Sequence, residues 1–296
     1  MVVMSGKELS SSVKANVAAL CERFIKRFGR RPSLAVVLVG EDPASQTYVS
    51  SKRKACDEVG IRHLDYTFNA GIPQKQLLEC ISNLNSDPTV DGILVQMPLP
   101  PQIDELMVIE AVSPAKDVDG FHPQNVGRLL LGQKALVACT PKGILRLLDH
   151  FSIDVSGKNV CIIGRSNIVG KPLAALLMQK GRDATVTVCN TRTIGLENYT
   201  RNADVIISAA GHEGILRADM VKAGAVVIDV GINRVPDSSR KSGYRLKGDA
   251  DYDGLASVVS AITPVPGGVG PMTIAMLMEN TLCAACWREG TTLEEL

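Results

Sequence analysis

Short runs of β-branched residues alternate with longer amphipathic segments along most of the chain. The apolar run Ser33–Val39 is closed by Gly40, which predicts a strand buried on both faces of a parallel sheet. The preceding segment 5–27 repeats apolar residues at every third or fourth position, which predicts an amphipathic helix. Helices and strands are then predicted in alternation at 44–59, 63–68, 73–84 and 92–96. This order indicates an α/β fold built from βαβ units.

The periodicity is interrupted at 98–101 and at 112–132 and resumes near Thr140, where Thr140-Pro141 resembles a helix N-cap followed by proline. A chain of 296 residues is long enough for two compact domains. We predict an α/β domain over 1–139, joined by the C-terminal helix 272–296, and a second α/β domain over 140–271. The elements predicted in the second domain lie at 159–163, 170–180, 185–189, 194–202, 204–209 and 225–230.

Composition excludes several classes of function. The 32 basic and 31 acidic residues nearly balance, which argues against a nucleic-acid partner or general binding to membrane surfaces. No apolar run approaches the ~20 residues of a membrane helix, and the first residues lack the basic start of a signal peptide. The 8 cysteines lack the spacing of a disulfide framework, so reduced thiols and a cytoplasmic location are predicted. Cys283 and Cys286 have zinc or redox spacing but no second Cys/His pair, so we predict no metal site.

A glycine-containing turn follows the predicted strand 159–163. The turn Gly164-Arg-Ser-Asn-Ile-Val-Gly170 opens a helix, and the free N–H groups and dipole of a helix N-terminus favour the pyrophosphate of a dinucleotide. The match to G-x-G-x-x-G is incomplete, because Ser166 stands at the second glycine position and Gly170 comes one residue late. An ordinary strand-to-helix turn therefore stays open as the alternative.

The strand after this turn ends at Asn190-Thr191-Arg192, where the adenosine ribose of a bound dinucleotide should lie. Sites specific for NAD usually place a carboxylate there, whereas a hydroxyl and a guanidinium suit a 2′-phosphate. Arg165, within the turn, is a second candidate for that phosphate. We predict NADP rather than NAD as the cofactor; the alternative is that both arginines are solvated surface charges.

Tyr48 and Lys52 share one face of a predicted helix that begins just beyond a strand end. Tyr-x-x-x-Lys also occurs in short-chain dehydrogenases, but there the pair follows the glycine turn, whereas here it precedes Gly164. By itself the pair is a weak signal, because a solvated lysine on a basic helix face is more common than a catalytic one. Three further segments point to a site: 91–96 ends a strand in an amide, 116–122 places acidic groups on a loop, and 263–273 is rich in Gly and Pro, which lets backbone approach a ligand.

Together these segments resemble the bifunctional methylenetetrahydrofolate dehydrogenase/methenyltetrahydrofolate cyclohydrolase family. The similar segments, in the family order, are Tyr48…Lys52-Arg-Lys-Ala-Cys56, Asp91-Gly-Ile-Leu-Val-Gln96, Lys116-Asp-Val-Asp-Gly-Phe-His122, Cys139-Thr-Pro141, Gly164-Arg-Ser…Val-Gly170, Asp229-Val-Gly-Ile-Asn233 and Pro264-Val-Pro-Gly-Gly-Val-Gly-Pro-Met-Thr273. The resemblance implies two α/β domains with a cleft between them, the C-terminal one Rossmann-like. It also implies NADP-dependent oxidation of 5,10-methylenetetrahydrofolate, hydrolysis of the methenyl product to 10-formyltetrahydrofolate, and the homodimer of the compact bacterial form.

The resemblance also assigns roles by position. Tyr48 would pack on the folate rings, Lys52 would be the acid/base residue, and Gln96 would hydrogen-bond to Lys52 and orient it. Asp119 would anchor the pterin N–H groups, for which a carboxylate is a natural acceptor. The remaining implied substrate contacts are Val95, Pro266, Gly267 and Gly268, and the implied cofactor contacts are Gly164, Arg165, Ser166, Ile168, Thr191, Arg192, Ile232 and Thr273. A lysine is a base only when neutral, and burial beside a cationic ligand lowers its pKa in that direction.

Other interpretations stay open. The chain could be an NADP-dependent oxidoreductase of the same architecture acting on another substrate, or a relative that retains only one of the two activities. A catalytically inactive binding protein is less compatible, because Tyr48, Lys52, Gln96 and Asp119 are all present. We interpret His63 and His150 as structural and expect His122 to border the site without a catalytic role.

Overall fold

A computed structural model describes residues 1–240 and 243–296. The chain forms two compact units, a first unit of residues 11–139 and 274–296 and a second unit of residues 1–10 and 140–273. Residues 1–10 thus belong with the second half of the chain, whereas the sequence analysis places them with the first. The reason is that β1 (Val2–Val3) pairs in parallel with Ala261–Ile262. A strand of two residues is too short to produce a periodic signal.

The first unit is built on three parallel strands. In chain order its elements are α1 (Gly6–Phe28, entering from the second unit), β2 (Ser33–Val39), α2 (Pro43–Val59), β3 (Arg62–Phe68), α3 (Gln74–Ser86), β4 (Gly92–Val95), α4 (Glu105–Ala111), α5 (Pro123–Leu130) and the greater part of α10 (Val269–Arg288). The sheet order is β3-β2-β4, so the continuously apolar β2 is central and every one of its residues is buried. Val37 lies opposite Val95, which brings the carboxyl ends of β2 and β4 to the same edge.

The sequence analysis predicted neither α4 nor α5: α5 lies within the stretch 112–132 that it left irregular, and α4 lies in the unassigned residues before that stretch. They have 7 and 8 residues, about two turns each, which is shorter than the window over which a helical period can be recognised. Val108 of α4 is nevertheless fully buried and packs in one cluster with Leu77 and Ile81 of α3. The short helices therefore complete the core of the first unit.

The second unit contains a six-stranded parallel sheet. Its further elements are α6 (Cys139–His150), β5 (Asn159–Ile163), α7 (Gly170–Leu177), β6 (Thr185–Cys189), α8 (Leu196–Thr200), β7 (Val205–Ser208), β8 (Val226–Asp229), β9 (Asn233–Pro236), β10 (Tyr244–Lys247), α9 (Tyr252–Leu255) and β11 (Ala261–Ile262). The order is β1-β11-β8-β7-β5-β6, and β9 and β10 form a separate antiparallel pair. Because β5 lies between β6 and β7, the topological switch point is at the carboxyl end of β5, where doubly wound sheets bind ligands.

Two details differ from the predicted helices. The helix α6 begins at Cys139, so Thr140 lies in its first turn and is not an N-cap; its hydroxyl is instead 2.9 Å from the hydroxyl of Thr273. The helix α7 ends at Leu177, three residues before the predicted end, because the chain turns at Met178. The apolar period alone does not locate either terminus.

The helix α10 is apolar all round. With 20 residues and a mean hydropathy of 1.2 it satisfies the length and composition of a membrane span, although the sequence analysis expected no such stretch. However, 72% of its most apolar window is buried inside the protein. Met276, Met278 and Leu282 are 0% exposed, which is the burial of a core helix.

Candidate active site

Lys52 and Gln96 form a hydrogen-bonded pair in the first unit. Lys52 lies on α2, which follows the carboxyl end of β2, and Gln96 directly follows β4. The backbone N–H of Gln96 donates to the carbonyl of Val37 at 2.8 Å, which extends the β2–β4 ladder by one residue. The ammonium of Lys52 donates to Gln96 Oε1 at 2.9 Å, and Gln96 Nε2 donates to the carbonyl of Met97 at 2.6 Å. The second bond directs the amide oxygen to the lysine.

Tyr48 lies one turn before Lys52 on the same face of α2. Its side chain is 44% exposed, so an aromatic ring is available beside the half-buried lysine. The helix begins at Pro43 because Asp42 accepts a hydrogen bond from the backbone N–H of Ser45 at 2.7 Å. The cap sets the register of the helix, and with it the face that presents Tyr48 and Lys52.

The electrostatics of Lys52 and Asp119 are coupled. Burial lowers the pKa of Lys52, and the negative charge of Asp119 partly opposes that shift. Burial raises the pKa of Asp119 to about 6, against the opposing effect of the Lys52 charge and with a smaller contribution from Asp117. Each group is therefore closer to its neutral form than in water.

The loop that holds Asp119 is fixed by its neighbours. Asp117, buried to 5% exposure, accepts hydrogen bonds from the backbone of Phe121 at 3.2 Å and of His122 at 2.8 Å. Gly120 has a φ of +72°, and a Cβ there would stand 2.4 Å from the backbone nitrogen of Ala138, so only glycine fits. Asp117 is thus the structural carboxylate of the motif, and Asp119 remains available to a ligand.

Asn280 on α10 is a residue that the sequence analysis missed. Its side-chain amide donates to the carbonyls of Val118 at 2.9 Å and Val137 at 2.8 Å. It thus joins the two backbone segments that pack closely at Gly120. The signal in the sequence was the polar run 279–281 inside a mainly apolar helix. Val95, a predicted substrate contact, lines a small cavity of about 20 Å³ together with Asp119.

The structure shows the surroundings of His122 and His63. His122 caps α5, because its Nδ1 accepts from the backbone N–H of Gln124 at 3.0 Å. His63 lies on β3, and its Nε2 is buried with no hydrogen-bond partner among the residues described. In the described ranges, no group of three or more His, Cys, Asp or Glu residues could hold a metal ion.

The predicted phosphate turn lies at the switch point of the second unit. Gly164 has a φ of +122°, and a Cβ there would stand 2.1 Å from the carbonyl oxygen of Ala209; one on Gly170 would stand 2.1 Å from the carbonyl oxygen of Gly164. Ser166 Oγ accepts from the backbone N–H of Val169 at 3.1 Å, which closes the turn in front of α7. The tight turn leaves the exposed residues 165–168, including Ile168, on the outside.

The end of β6 presents the predicted ribose contacts. Asn190 Oδ1 accepts from the backbone N–H of Arg192 at 3.0 Å, and the backbone N–H of Asn190 donates to Thr193 Oγ1 at 2.9 Å. This turn leaves Thr191 and Arg192 exposed. Arg165, which follows the end of β5, is exposed as well. A glycine cradle, a helix N-terminus and two exposed guanidinium groups on neighbouring strands fit a dinucleotide that carries a further phosphate.

The Gly- and Pro-rich loop lines a cavity of about 140 Å³ in the second unit, together with residues 229–232. The carbonyl of Gly267 accepts from the backbone N–H groups of Gly6 at 2.9 Å and Lys7 at 3.1 Å, at the start of α1. A Cβ on Gly6 would stand 1.9 Å from the carbonyl oxygen of Gly268, another requirement that the sequence analysis missed. Ile232, Pro266, Gly267 and Gly268 share this cavity, whereas Lys52, Gln96 and Asp119 belong to the first unit.

These features define the class of the protein as a two-unit α/β enzyme, with a dinucleotide-type turn in one unit and a half-buried lysine, hydrogen-bonded to a glutamine amide, in the other. The family model for the catalytic domain of tetrahydrofolate dehydrogenase/cyclohydrolase matches residues 4–119, and the model for the NAD(P)-binding domain of the same family matches residues 138–289. The chain belongs to the tetrahydrofolate dehydrogenase/cyclohydrolase family.

Individual relatives agree with the family models. The bifunctional protein FolD of Chlorobium phaeobacteroides is 54% identical over 286 residues, which cover 95% of this chain and 97% of the relative. The crystal structure of the bifunctional FolD enzyme of Campylobacter jejuni has a TM-score of 0.92 at 50% identity and covers 97% of this chain and 99% of its own. The Trypanosoma brucei methylenetetrahydrofolate dehydrogenase-cyclohydrolase, solved with NADP and an inhibitor, has a TM-score of 0.91 at 38% identity. The match covers 95% of this chain and 96% of that protein's chain.

The comparisons confirm the predicted family, the predicted fold class of two α/β domains with a C-terminal NAD(P)-binding domain, and the predicted class of bifunctional enzyme. The roles of the individual site residues stay predictions.

Proposed function

We propose that this enzyme oxidises 5,10-methylenetetrahydrofolate to the methenyl form with NADP and then hydrolyses that product to 10-formyltetrahydrofolate. The observation that carries the proposal is the Lys52–Gln96 pair, at 2.9 Å, in a chain whose second unit has a glycine-lined phosphate turn. NADP, when bound, supplies the acceptor for the hydride that leaves the methylene carbon. The fit of the Gly164 turn, Arg165 and Arg192 to a phosphorylated dinucleotide supports NADP as that cofactor.

The first unit holds the folate in this proposal. Asp119 accepts hydrogen bonds from the amino group and the ring N–H of the pterin, which point in the same direction and suit two carboxylate oxygens. Tyr48 packs its exposed ring on the folate rings. Val95 supplies a further contact to the substrate from the first unit. Pro266, Gly267 and Gly268 of the second unit are proposed as substrate contacts on the family resemblance alone.

Lys52 manages the protons of the hydrolytic step. Loss of hydride leaves a methenyl carbon that is already cationic, so water adds to it once a base accepts a proton from that water. The burial that lowers the pKa of Lys52 enlarges the neutral fraction that can act as this base. The hydroxyl of the resulting adduct then loses its proton as the C=O bond forms, and N5 takes the proton held by Lys52 as its bond to the one-carbon unit breaks. The formyl group stays on N10, and one proton is released to solvent. Gln96 keeps the amine in place throughout.

Location and assembly are part of the proposal. The cysteines are all free in the structure, and Cys161 Sγ lies 3.8 Å from Cys189 Sγ without a bond, which supports a reducing compartment such as the cytoplasm.

We also propose a homodimer, supported by the position of β3 at the edge of its sheet, where a second copy can pair. Sedimentation analysis tests this: a dimer is expected, and a monomer at micromolar concentration contradicts it.

A spectrophotometric assay of both steps tests the function. Purified enzyme is given 5,10-methylenetetrahydrofolate with NADP or NAD, and separately the methenyl compound without a dinucleotide. We expect reduction of NADP in preference to NAD, and hydrolysis of the methenyl compound. Reduction without hydrolysis indicates a relative that retains one activity, and no reaction with either folate overturns the proposal.

A further inference from the structure

Two carboxylates are buried at the edge of the second unit where the parallel strands end. Asp229 is the last residue of β8 and is 3% exposed; Asp249, two residues after β10, is 0% exposed. Neither forms an ion pair within the described residues 1–240 and 243–296. Two acidic groups therefore lie side by side in the protein interior without a cation.

Amide N–H groups take the place of a cation. Asp249 Oδ2 accepts from the backbone N–H groups of Ala210 at 2.7 Å and Gly211 at 2.9 Å, and its Oδ1 accepts from Asn233 Nδ2 at 2.9 Å. Asp229 supports it, because Asp229 Oδ1 accepts from the backbone N–H of Asp249 at 2.9 Å. Asp249 thus ties the chain after β7 to the chain after β8.

The segments that Asp249 joins follow β7, the neighbour of β5, and β8, the next strand along the sheet. Gly164 packs on the carbonyl oxygen of Ala209, which a Cβ would approach to 2.1 Å, so a shift of Ala209 and Ala210 would move the turn or open a gap behind it. After β8, a Cβ on Gly231 would stand 2.1 Å from Asp249 Oδ1, so the backbone that carries Ile232 packs directly on the carboxylate.

Burying two carboxylates side by side costs free energy of folding, because each loses its hydration. Burial raises the pKa of Asp229 to about 6, with backbone N–H groups opposing the shift and the charge of Asp249 adding to it. Apolar side chains of similar size would fill this space without burying like charges. What the carboxylates provide, and apolar groups cannot, is a fixed direction for each N–H group that they accept.

We infer that Asp249, supported by Asp229, is a positioning residue for the dinucleotide, which holds the Ala209–Gly211 and Gly231–Asn233 backbone in the shape that the cofactor requires. The inference rests on the proposed function, because it takes the Gly164 turn as the NADP site. The hydrolytic step needs no dinucleotide, so a defect confined to cofactor positioning separates the two activities of one enzyme.

The variant Asp249→Asn tests the inference with an almost isosteric change. Its amide has one acceptor and one NH₂ group, so a donor must face either Ala210 and Gly211 or the Asn233 amide. We expect the Kd for NADP, measured by calorimetry, and the KM for NADP to rise by about tenfold. Hydrolysis of the methenyl compound should keep its wild-type rate.

Asp204→Asn is the matched control. Asp204 also accepts from backbone, the N–H of Asn159 at 2.8 Å, but at the opposite end of the same sheet, where β5 and β7 begin. We expect it to leave the Kd for NADP unchanged. If Asp249→Asn does not fold, Asn233→Ala, which removes one donor to Asp249, decides the question: weaker NADP binding is expected, and unchanged binding contradicts the inference.

The outcomes separate the inference from the proposed function. Wild-type NADP affinity in Asp249→Asn, or an equal loss of both activities in a folded variant, overturns the positioning role. Wild-type enzyme that does not reduce NADP with 5,10-methylenetetrahydrofolate overturns the function itself.

Discussion

The carboxyl group of Asp119 should control how the enzyme responds to acid. Burial raises its pKa to about 6, with the Lys52 charge opposing the shift. Only the ionised carboxylate can accept both pterin N–H groups, since the protonated acid carries a donor of its own. We therefore expect kcat/KM for hydrolysis of the methenyl compound to fall as the pH falls through about 6.

The magnitude follows from the ionised fraction. A group with a pKa of about 6 is about one-tenth ionised at pH ~5 and about nine-tenths ionised at pH ~7. The expected change in kcat/KM between those pH values is therefore about tenfold. In Lys52→Met the loss of a positive charge should move the same inflection to higher pH. Because this variant no longer hydrolyses the methenyl compound, the inflection is measured from the pH dependence of tetrahydrofolate binding.

The assay is the initial rate of absorbance loss of the methenyl compound across that pH range, at substrate concentrations well below KM. Asp119→Asn should lack the inflection near pH 6 and be slow at every pH. The control is Asp104→Asn, an exposed N-cap of α4 whose side-chain oxygen can still cap the helix. An acid limb that persists unchanged in Asp119→Asn would refute the reasoning, as would a flat wild-type profile.

Three further variants test other parts of the structure. Asp91 is 0% exposed and accepts from Arg30 at 2.8 Å, so Asp91→Ala should lower the free energy of unfolding by about 3 kcal/mol, read from urea denaturation; a loss below about 1 kcal/mol contradicts this. Gly164→Ala places a Cβ 2.1 Å from a carbonyl oxygen, so calorimetry should show NADP binding lost while hydrolysis continues; wild-type affinity contradicts it. Arg165→Ala combined with Arg192→Ala should lower the ratio of kcat/KM for NADP to that for NAD by about tenfold, and an unchanged ratio assigns both arginines to the solvated surface.

The elements that could be predicted from the sequence are those whose signal lies in consecutive residues. The strand Ser33–Val39 has the predicted bounds because its apolar run is continuous and ends at Gly40, which has a φ of +88°. The strand and turn at Gly164 were likewise readable, since an apolar run, a glycine and a helix start are adjacent in the chain. The contact between Lys52 and Gln96 joins residues 44 positions apart, and it was predicted only from the family resemblance.

The elements that were missed depend on contacts between distant parts of the chain. The pairing of Val2–Val3 with Ala261–Ile262 joins residues at opposite ends of the sequence, and two residues have no period. Asn280 is one of a few polar residues in a long, mainly apolar helix, and nothing near it in sequence shows that it binds the backbone beside Asp119. Asp249 has the same character: its partners lie 38 and 39 positions away, and its role depends on where three loops meet.

The replacement of Lys52 by methionine tests the proposed chemistry most directly. Lys52→Met keeps the length of the side chain and removes the amine, and Lys54→Met makes the same change at an exposed position on the same helix. We predict that Lys52→Met still binds tetrahydrofolate but no longer converts the methenyl compound to 10-formyltetrahydrofolate, whereas Lys54→Met hydrolyses it normally. Hydrolysis by Lys52→Met at the wild-type rate would contradict the assignment of Lys52 as the base.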